Sequence, residues 1–282
     1  MYRIVRKKAL NPTVTQMEIE APLVARKARP GQFIILRVDE AGERIPLTVA
    51  GTNPEEGTVK IIFQIVGATT ELLNHKNEGE SIQDFVGPLG VATHTEGIKK
   101  VCIVGGGVGC AIAMPVAQEF HRLGAEVTSI IGFRSKDLLS LEDEFRACSD
   151  RLIVMTDDGS YARHGNVTVP LKEMLEAGER FDAIITIGPL IMMKFVTLTA
   201  KPYGVPVTAS MNPIMIDGTG MCGGCRLTLN QDGKRVTKFA CVDGPDFNAY
   251  EIDFDEAMSR GRMYFGYERR AHEEVCNLFK NA

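Results

Sequence analysis

Residues 101–109, VCIVGGGVG, form an apolar run that ends in glycines and leads into a segment with helical patterning, residues 111–123. An apolar strand that turns through glycines into a helix is typical of the first unit of a parallel α/β sheet. The helix N-terminus directs unsatisfied N–H groups at the turn, which suits the pyrophosphate of a dinucleotide. The literal G-x-G-x-x-G spacing fails, because Cys110 or Ile112 takes the last position. A simple tight turn is the alternative interpretation.

Four more apolar runs follow at the spacing of strands that alternate with helices: EVTSIIGF from Glu126, RLIVMT from Arg151, DAIITIG from Asp182 and VPVTAS from Val205. This rhythm predicts a parallel sheet with helices on both faces, and we assign residues 98–210 to a dinucleotide-binding α/β domain. The second run ends near Arg134 rather than in an acidic residue. Arg134 suits the 2′-phosphate of NADP(H) or belongs to a solvated basic turn, so local chemistry leaves NAD(H) and NADP(H) both open.

The N-terminal segment, residues 1–97, has a different pattern. It contains short β-favouring runs, such as QFIILRV at 32–38 and VKIIFQIV at 59–66, separated by turn signals. Closely spaced short strands with few helical periods predict an antiparallel β-barrel.

The sequence RIPLT at residues 44–48 lies within this barrel. Arg44 can pair with a pyrophosphate, and the Thr48 hydroxyl or its N–H can hydrogen-bond a flavin ring nitrogen. An ordinary turn is the alternative. Gly67, Thr69 and Thr70 precede a helical run and offer N–H and hydroxyl donors for a second phosphate contact.

The third segment, residues 211–282, is rich in glycine and contains a cysteine cluster. Cys222 and Cys225 form C-x2-C, and Cys241 follows after fifteen intervening residues. Plant-type [2Fe–2S] sites have the spacing C-x4-C-x2-C…C, and Asp217 stands where the first cysteine of that pattern would be. A carboxylate can ligate iron with the same single negative charge as a thiolate. The spacing therefore predicts a [2Fe–2S] cluster, with a tetrahedral zinc ion as the alternative.

Composition excludes several classes of protein. The 282 residues are 44% hydrophobic, which is enough to fill two cores. The 32 basic and 36 acidic residues give a net charge of −4, and this acidic balance argues against nucleic-acid binding. No apolar stretch reaches membrane-spanning length and no secretory signal follows the start, so we expect a cytoplasmic protein without membrane contact. The odd count of seven cysteines favours reduced thiols.

The charged tail from Phe254 to Ala282 is expected to form helix that folds back on the chain. It also carries residues of the types enriched at protein interfaces: Met258, Met263, Tyr264, Phe265 and Tyr267.

Three motifs carry a family resemblance: TDDGSY at 156–161, IGPLIMM at 187–193 and VGPLG at 86–90. Together with the order of barrel, α/β domain and cysteine loop, they resemble the electron-transfer subunits of the ferredoxin–NADP reductase superfamily, in particular the dihydroorotate dehydrogenase electron-transfer subunit and its relatives. Asp217 and the tail after Cys241 are most similar to the small-subunit family of NADH-dependent ferredoxin:NADP oxidoreductases, also described as sulfide dehydrogenase subunits. In the dihydroorotate branch the first cluster ligand is cysteine.

The resemblance implies bound FAD, a [2Fe–2S] cluster and NAD(H). Thr48 is the candidate catalytic residue, at the isoalloxazine. The implied flavin-binding residues are Arg44, Pro46, Leu47, Thr48, Phe63, Gln64, Ile65, Gly67, Thr69 and Thr70. The implied nucleotide-binding residues are Gly106, Gly107, Gly109, Arg134, Asp157, Asp158, Gly188 and Pro189. The cluster ligands are Asp217, Cys222, Cys225 and Cys241.

Two positions depart from the superfamily pattern. Arg44 stands four residues before Thr48, whereas the usual spacing is three, and Ile187 replaces a cysteine that often precedes Gly-Pro.

The resemblance further implies that hydride passes between nicotinamide and flavin N5, and that single electrons leave through the cluster. The receiver would be a larger flavin and iron–sulfur subunit in a hetero-oligomer, with ferredoxin reached through the complex and with flavin-based electron bifurcation. The alternatives are a dihydroorotate dehydrogenase electron-transfer subunit and a zinc-stabilised nucleotide-binding regulator without redox chemistry.

Overall fold

The computed structural model describes residues 1–280 and the side chains of residues 1–276. Its N-terminal part is an antiparallel sheet of seven strands: β1 (Tyr2–Asn11), β2 (Val14–Glu20), β3 (Phe33–Arg37), β4 (Arg44–Asn53), β5 (Thr58–Gln64), β6 (Ser81–Ile82) and β7 (Asp84–Leu89). Two helices connect these strands, α1 (Pro22–Ala25) and α2 (Ala68–His75).

The strand order is β6-β1-β2-β5-β4-β3-β7, and Gln83 alone separates β6 from β7. Residues 81–89 therefore pair with β1 at one end and with β3 at the other, which closes the sheet into a barrel. The predicted antiparallel β-barrel is confirmed.

The middle of the chain alternates strands and helices: β8 (Lys100–Gly106), α3 (Gly109–Arg122), β9 (Glu126–Phe133), α4 (Glu142–Ala147), β10 (Arg151–Thr156), β11 (Arg163–His164), α5 (Thr168–Glu176), β12 (Ala183–Ile187), α6 (Leu190–Ala200) and β13 (Val207–Ser210). Short 3-10 turns cover Lys136–Leu138 and Lys201–Tyr203. All five predicted apolar runs are strands of one sheet, and their pairings with one another are parallel.

The order of this sheet is β11-β10-β9-β8-β12-β13, extended by one more strand from the C-terminal segment. Within this sheet the chain starts at the central β8 and runs outward through β9 and β10 to β11. It then returns to the other side of β8, where β12 and β13 follow. The turns after β8 and β12 therefore lie side by side at the point where the order reverses. Open parallel sheets bind ligands at this point.

The C-terminal segment contains β14 (Arg226–Gln231), β15 (Lys234–Phe239), α7 (Ala240–Asp243), β16 (Asp246–Asn248), α8 (Phe254–Arg260) and α9 (Phe265–Lys280). β14 and β15 form a hairpin, whereas β16 pairs antiparallel with β13 at the edge of the parallel sheet. Met215, Cys225 and Leu227 share one buried core with Val104 and Ile184 of that sheet. The segments on either side of the predicted boundary at residue 210 thus share one sheet and one hydrophobic core.

The tail folds back as expected, because α9 packs against α2 of the barrel. Four of its predicted interface residues have more than half of their surface exposed: Met263, Tyr264, Phe265 and Tyr267. Among the described helices, none is long and apolar enough to cross a bilayer.

Candidate functional site

The predicted flavin residues on β4 alternate between two faces of the barrel wall. Pro46 lies opposite Ile35 and Thr48 opposite Phe33, and these β3 partners belong to the core shared with the α/β sheet. Residues directly opposite each other on antiparallel strands share a face. Pro46 and Thr48 therefore face away from the barrel interior, towards the α/β sheet.

The adjacent predicted residues have other positions. Leu47 lies opposite Ile34 and packs against the barrel core, so only its backbone is available to contact a flavin. Arg44 is exposed at the start of the strand, opposite Arg37. Phe63 is 1% exposed inside the barrel, so its side chain serves packing and only its backbone is available for a flavin. Ile65 packs against the same core.

The loop before α2 is held by one hydroxyl. Thr70 Oγ1 accepts hydrogen bonds from the backbone N–H groups of Val66 and Gly67, each at 3.0 Å, and donates to the Gly67 carbonyl at 2.9 Å. The hydroxyl of Thr70 is thus committed to the loop. The first N–H groups of α2 have no helical acceptor, as at every helix start, and they are the donors available for a phosphate.

A cavity of about 650 Å³ lies between the barrel and the carboxyl edge of the parallel sheet. Of the predicted residues, eight line it: Gln64, Gly106, Gly107, Gly109, Arg134, Asp157, Gly188 and Pro189. Gln64 comes from the barrel, so this one cavity joins a predicted flavin residue to the predicted nucleotide residues.

The floor of the cavity is two backbone turns in close contact. A Cβ at Gly109 would lie 2.5 Å from the Ile187 carbonyl oxygen and 2.7 Å from Gly188 Cα. Because both obstacles are backbone, glycine at position 109 is required for the turns after β8 and β12 to approach each other. This packing role is sufficient to explain Gly109. Gly107 borders open space within the cavity and is the glycine that a ligand can approach.

The far wall of the cavity carries opposite charges. Arg134 follows β9, Asp157 follows β10, and both are exposed lining residues. Lys136 instead places its ammonium 5.6 Å from the centre of the Tyr161 ring. Asp158 lies outside the cavity lining. The Ser160 hydroxyl, together with the Ser160 N–H that Asp158 accepts at 2.9 Å, lowers the pKa of its carboxyl.

Sequence reasoning missed several polar residues of the cavity: Asn11, Thr13, Asn166, Thr168, Ser210 and Asn212. Ser210 is the last residue of β13 and Asn212 follows it, so the rule that ligands bind beyond the carboxyl ends of parallel strands would have identified both. Thr168 is the first residue of α5 and Asn166 precedes the helix; the Asn166 carboxamide oxygen accepts the Thr168 N–H at 3.0 Å. Asn11 and Thr13 come from the turn between β1 and β2, and no local signal relates that turn to the α/β sheet.

The cluster loop, residues 212–225, is organised around Asp217. Its carboxylate accepts the N–H groups of Thr219 at 2.8 Å and of Cys222 at 2.7 Å. These backbone donors, Thr219 foremost, lower the pKa of Asp217. The loop is therefore shaped around an ionised carboxylate placed next to the first cysteine.

The three loop cysteines differ in exposure. Cys222 is exposed, whereas Cys225 and Cys241 are buried with their sulfur atoms 3.1 Å apart. Burial raises the pKa of Cys241 to about 12, with smaller contributions from the Cys225 thiol and the Asp217 carboxylate. No three of the four predicted ligands, all described, bring their ligand atoms within 4.8 Å of one another.

The cluster loop contacts the outer wall of the barrel. Gly218 has φ +73°, and a Cβ there would lie 2.6 Å from Leu89 Cδ1 and 2.9 Å from Ile35 Cδ1. Ile35 pairs with Pro46 across β3 and β4. The loop therefore lies against the strand pair that carries the outward-facing flavin residues.

The cysteines of the α/β sheet are not ligand candidates. Cys102, Cys110 and Cys148 are buried, and burial raises the pKa of each thiol, to about 12 for Cys110.

Comparison with known proteins gives consistent similarities. A family described as the iron–sulfur cluster binding domain of dihydroorotate dehydrogenase B matches residues 212–253. The chain is 46% identical to a dihydroorotate dehydrogenase B (NAD(+)) electron transfer subunit homolog of Thermotoga maritima, over 97% of this chain and 95% of that protein. It is 48% identical to an uncharacterised protein of Clostridium beijerinckii, over 98% and 94% of the two chains.

A solved structure is also similar over nearly the full length. It is a chain of the NADH-dependent reduced ferredoxin-NADP oxidoreductase described for flavin-based electron bifurcation, with 44% identity, a TM-score of 0.90 and 98% coverage of both chains. A more distant neighbour, the Amycolatopsis cytochrome P450 reductase, has 20% identity and a TM-score of 0.62 over 72% of this chain and 65% of that one. At that identity the likeness concerns the fold alone.

Proposed function

This chain belongs to the family of dihydroorotate dehydrogenase B electron-transfer subunits and their homologues, and we propose that it carries electrons between NAD(H) and a larger flavoprotein partner. It is an oxidoreductase subunit whose cofactors are FAD, a [2Fe–2S] cluster and NAD(H). When bound, the flavin would accept one hydride, pass its two electrons on one at a time and release the proton.

One observation carries the proposal: the candidate sites are contiguous. The cavity reaches the barrel at Gln64, Pro46 and Thr48 face the α/β sheet, and Gly218 of the cluster loop contacts Ile35 behind Pro46. A nucleotide in the cavity, a flavin on the barrel wall and a cluster in the loop would therefore lie next to one another in that order.

The residues of the barrel suit a flavin. Pro46 restricts the backbone of β4, and Thr48 offers a hydroxyl on the outward face. The α2 N-terminus, ordered by the Thr70 hydroxyl, offers backbone donors to phosphate. Arg44 is exposed and available to a pyrophosphate, at a spacing that differs by one residue from the usual one.

The cluster loop suits two irons better than one zinc ion. A tetrahedral zinc site with bonds of about 2.0–2.3 Å needs four ligand atoms within about 4 Å of one another. The loop brings Cys225 and Cys241 together, but no three of the four ligands are mutually close. A two-iron cluster takes its ligands in two pairs, so this arrangement supports Asp217 and Cys222 on one iron and Cys225 and Cys241 on the other.

The ferredoxin:NADP oxidoreductase branch is favoured over the dihydroorotate branch. Asp217 occupies the position where the dihydroorotate branch has cysteine, and the loop provides that carboxylate with two backbone donors. On this proposal the chain forms the NADH-linked half of a bifurcating complex, and ferredoxin is reached through the partner subunit.

A partner surface surrounds the exposed Cys222. Met221 is 88% exposed, and Ile214, Ile216 and Val242 are each at least 40% exposed in the same region. Exposed apolar residues next to a redox centre suit docking of a protein acceptor, since they bury well and exclude water.

The test uses the chain co-purified with its partner. After the chain is separated from its partner, whose own iron and flavin would add to the signals, we expect about two irons and two acid-labile sulfides per chain. We also expect rapid bleaching of its flavin by NADH in stopped-flow experiments. Zinc in place of iron would favour the regulator alternative. Bleaching by NADPH much faster than by NADH would reverse the nucleotide assignment, and reduction of dihydroorotate dehydrogenase rather than ferredoxin would restore the other branch.

A further inference from the structure

Helix α9 of the tail packs against helix α2 of the barrel, and each helix contributes two side chains of metal-binding type. These are Glu71 and His75 on α2 and His272 and Cys276 on α9; we refer to the four residues as the tail cluster. Each pair is spaced four residues apart, so both members lie on one face of their helix, one turn apart.

The side chains of the tail cluster converge. The ligand atoms of Glu71, His272 and Cys276 all lie within 4.8 Å of one another. The Glu71 carboxylate lies between two imidazoles, with Oε1 3.2 Å from His75 Nε2 and Oε2 3.7 Å from His272 Nε2. Chain segments about two hundred positions apart in sequence thus meet at one carboxylate.

His272 carries a second observation. Its Nε2 atom is inaccessible to solvent and makes no hydrogen bond, because 3.7 Å to Glu71 exceeds hydrogen-bond range. A buried ring nitrogen that points at a carboxylate without bonding to it is costly. A cation between the two groups would satisfy both.

We propose that the tail cluster is a zinc site, with Glu71, His272 and Cys276 as ligands and His75 as the fourth. Imidazole, thiolate and carboxylate are the ligand types that zinc takes in proteins, whereas calcium and magnesium take oxygen ligands. Thiolate and carboxylate together balance the two positive charges of the ion. Cys276 releases its proton to solvent when the Zn–S bond forms.

The separations suit a mononuclear tetrahedral site. Ligand atoms about 2.0–2.3 Å from a zinc ion lie about 3.3–3.8 Å apart. Small side-chain rotations are therefore enough to bring the ligand atoms of Glu71, His272 and Cys276 into place. His75, whose Nε2 lies 3.2 Å from Glu71 Oε1, would turn towards the other two ligands. The cluster loop differs in this respect, because its four ligands do not converge on one point.

Such an ion would link α9 of the tail to α2, the helix whose N-terminus is the predicted flavin phosphate site. Thr69 and Thr70 lie in the first turn of α2, and Glu71 follows directly. The tail would then be held on the barrel independently of the iron–sulfur cluster and of the partner subunit.

The experiment uses the full chain loaded with FAD and its iron–sulfur cluster. The protein is dialysed against zinc chloride, passed over a chelating resin and analysed for zinc and iron. We expect about one zinc per chain in addition to the cluster iron, and zinc X-ray absorption that shows one sulfur at about 2.3 Å and nitrogen or oxygen ligands at about 2.0–2.1 Å.

Variants locate the ion. Loss of an outer-shell partner already costs about 10- to 100-fold in metal affinity, so His272→Ala and Cys276→Ser should each weaken zinc binding at least that much. His75→Ala should weaken it too. His121→Ala, exposed on α3, and Glu274→Gln, exposed on α9 two residues from each α9 ligand and so on another face of the helix, should leave it unchanged. An unaltered flavin spectrum shows that each variant is folded.

Three results would overturn the proposal: a chain that retains its iron but no zinc, zinc bound by three sulfurs as in the cluster loop, or zinc affinity unchanged in both His272→Ala and Cys276→Ser. Unchanged affinity in His75→Ala alone would overturn the assignment of the fourth ligand. The zinc measurement needs neither NADH nor a partner, so its failure is distinct from failure of the proposed function.

Discussion

The nucleotide cavity and the cluster loop are both glycine-rich, but glycine has a different role in each. Gly109 is needed because two turns of the sheet touch backbone to backbone. Gly218 is needed because the loop reverses direction with φ +73° while lying against Ile35 and Leu89. The floor of the cavity is therefore formed by two turns of the sheet, whereas the loop is arranged around Asp217 and the cysteines. We therefore expect substitutions in the cluster loop to leave NADH binding intact, and substitutions in the cavity to leave the iron content unchanged.

The strongest test of this independence is Cys225→Ala. Cys225 is 1% exposed and its sulfur lies 3.1 Å from that of Cys241, so the variant removes one of two close ligands. We expect iron and sulfide to be lost almost completely, while flavin bleaching by NADH continues, because Cys225 does not line the cavity and the cluster loop reaches it at Asn212. Iron analysis and stopped-flow absorbance measure the two effects.

Asp217→Cys is the matched variant at the same cluster. A thiolate there completes the four-cysteine pattern, so iron should be retained and the reduction potential should become more negative, because a thiolate donates more electron density than a carboxylate. Loss of bleaching in Cys225→Ala would contradict the independence of the two regions. Equal iron content in both variants would contradict the assignment of the cluster ligands.

Gly109→Ala changes the floor of the nucleotide cavity and tests whether the cluster loop is unaffected. The added methyl meets the Ile187 carbonyl oxygen at 2.5 Å, and overpacking of this kind costs about 1–3 kcal/mol. We expect NADH affinity to fall about tenfold, equivalent to about 1.4 kcal/mol, while the iron content stays unchanged. Gly266→Ala is the control, because a methyl there meets no atom within 4 Å. Unchanged NADH binding in Gly109→Ala would separate these turns from the nucleotide site.

A smaller effect is expected at the charged wall of the cavity. Asp157 and Arg134 both line it, and the carboxylate disfavours a 2′-phosphate that the guanidinium would attract. Asp157→Asn should therefore shift the ratio of NADH to NADPH efficiency by about tenfold towards NADPH, with kcat/KM for both nucleotides as the measurement. Lys136→Ala is the control, since Lys136 contacts Tyr161 instead. An equal shift in both variants would count against a role specific to Asp157.

The smallest expected effect lies where the two regions join, at Asp246 on β16. Its Oδ1 is buried without a partner, Oδ2 accepts the Thr93 hydroxyl at 2.6 Å, and burial raises the pKa of the carboxyl. An acid with a raised pKa stabilises the fold at low pH and loses that contribution as pH rises through the folded pKa. Asp246→Asn should therefore raise the thermal midpoint at pH 8 by about 2–4 °C, for about 1 kcal/mol, and by less near pH 4.

Thermal scans of the two proteins between pH 4 and pH 8 measure this difference, with Asp232→Asn as the exposed-carboxylate control. A difference that is constant across this range, or that is largest at low pH, would be incompatible with a buried ionisable carboxyl at Asp246.

Much of the candidate site could be predicted from sequence because it depends on local pattern. The strands at Val101 and Glu126 follow from apolar runs of strand length, and Asp217 follows from counting four residues back from Cys222. Phe63 and Leu47 show the limit of such reasoning. Both stand in a predicted flavin segment, but strand alternation turns their side chains into the barrel core, and the register that decides this is set by pairing with other strands.

The sequence by itself determined the five apolar strands of the parallel sheet and the spacing of the candidate cluster ligands, because backbone preference and periodicity act over a few residues. Only the tertiary structure decided which residues meet across long separations. It brings Gly218 against Ile35, Gln64 into the nucleotide cavity, and Glu71 next to His272. The reason is physical: such contacts depend on how strands close a barrel and how a tail packs on it, and the free energy of that packing is spread over the whole core rather than encoded at the residues that finally touch.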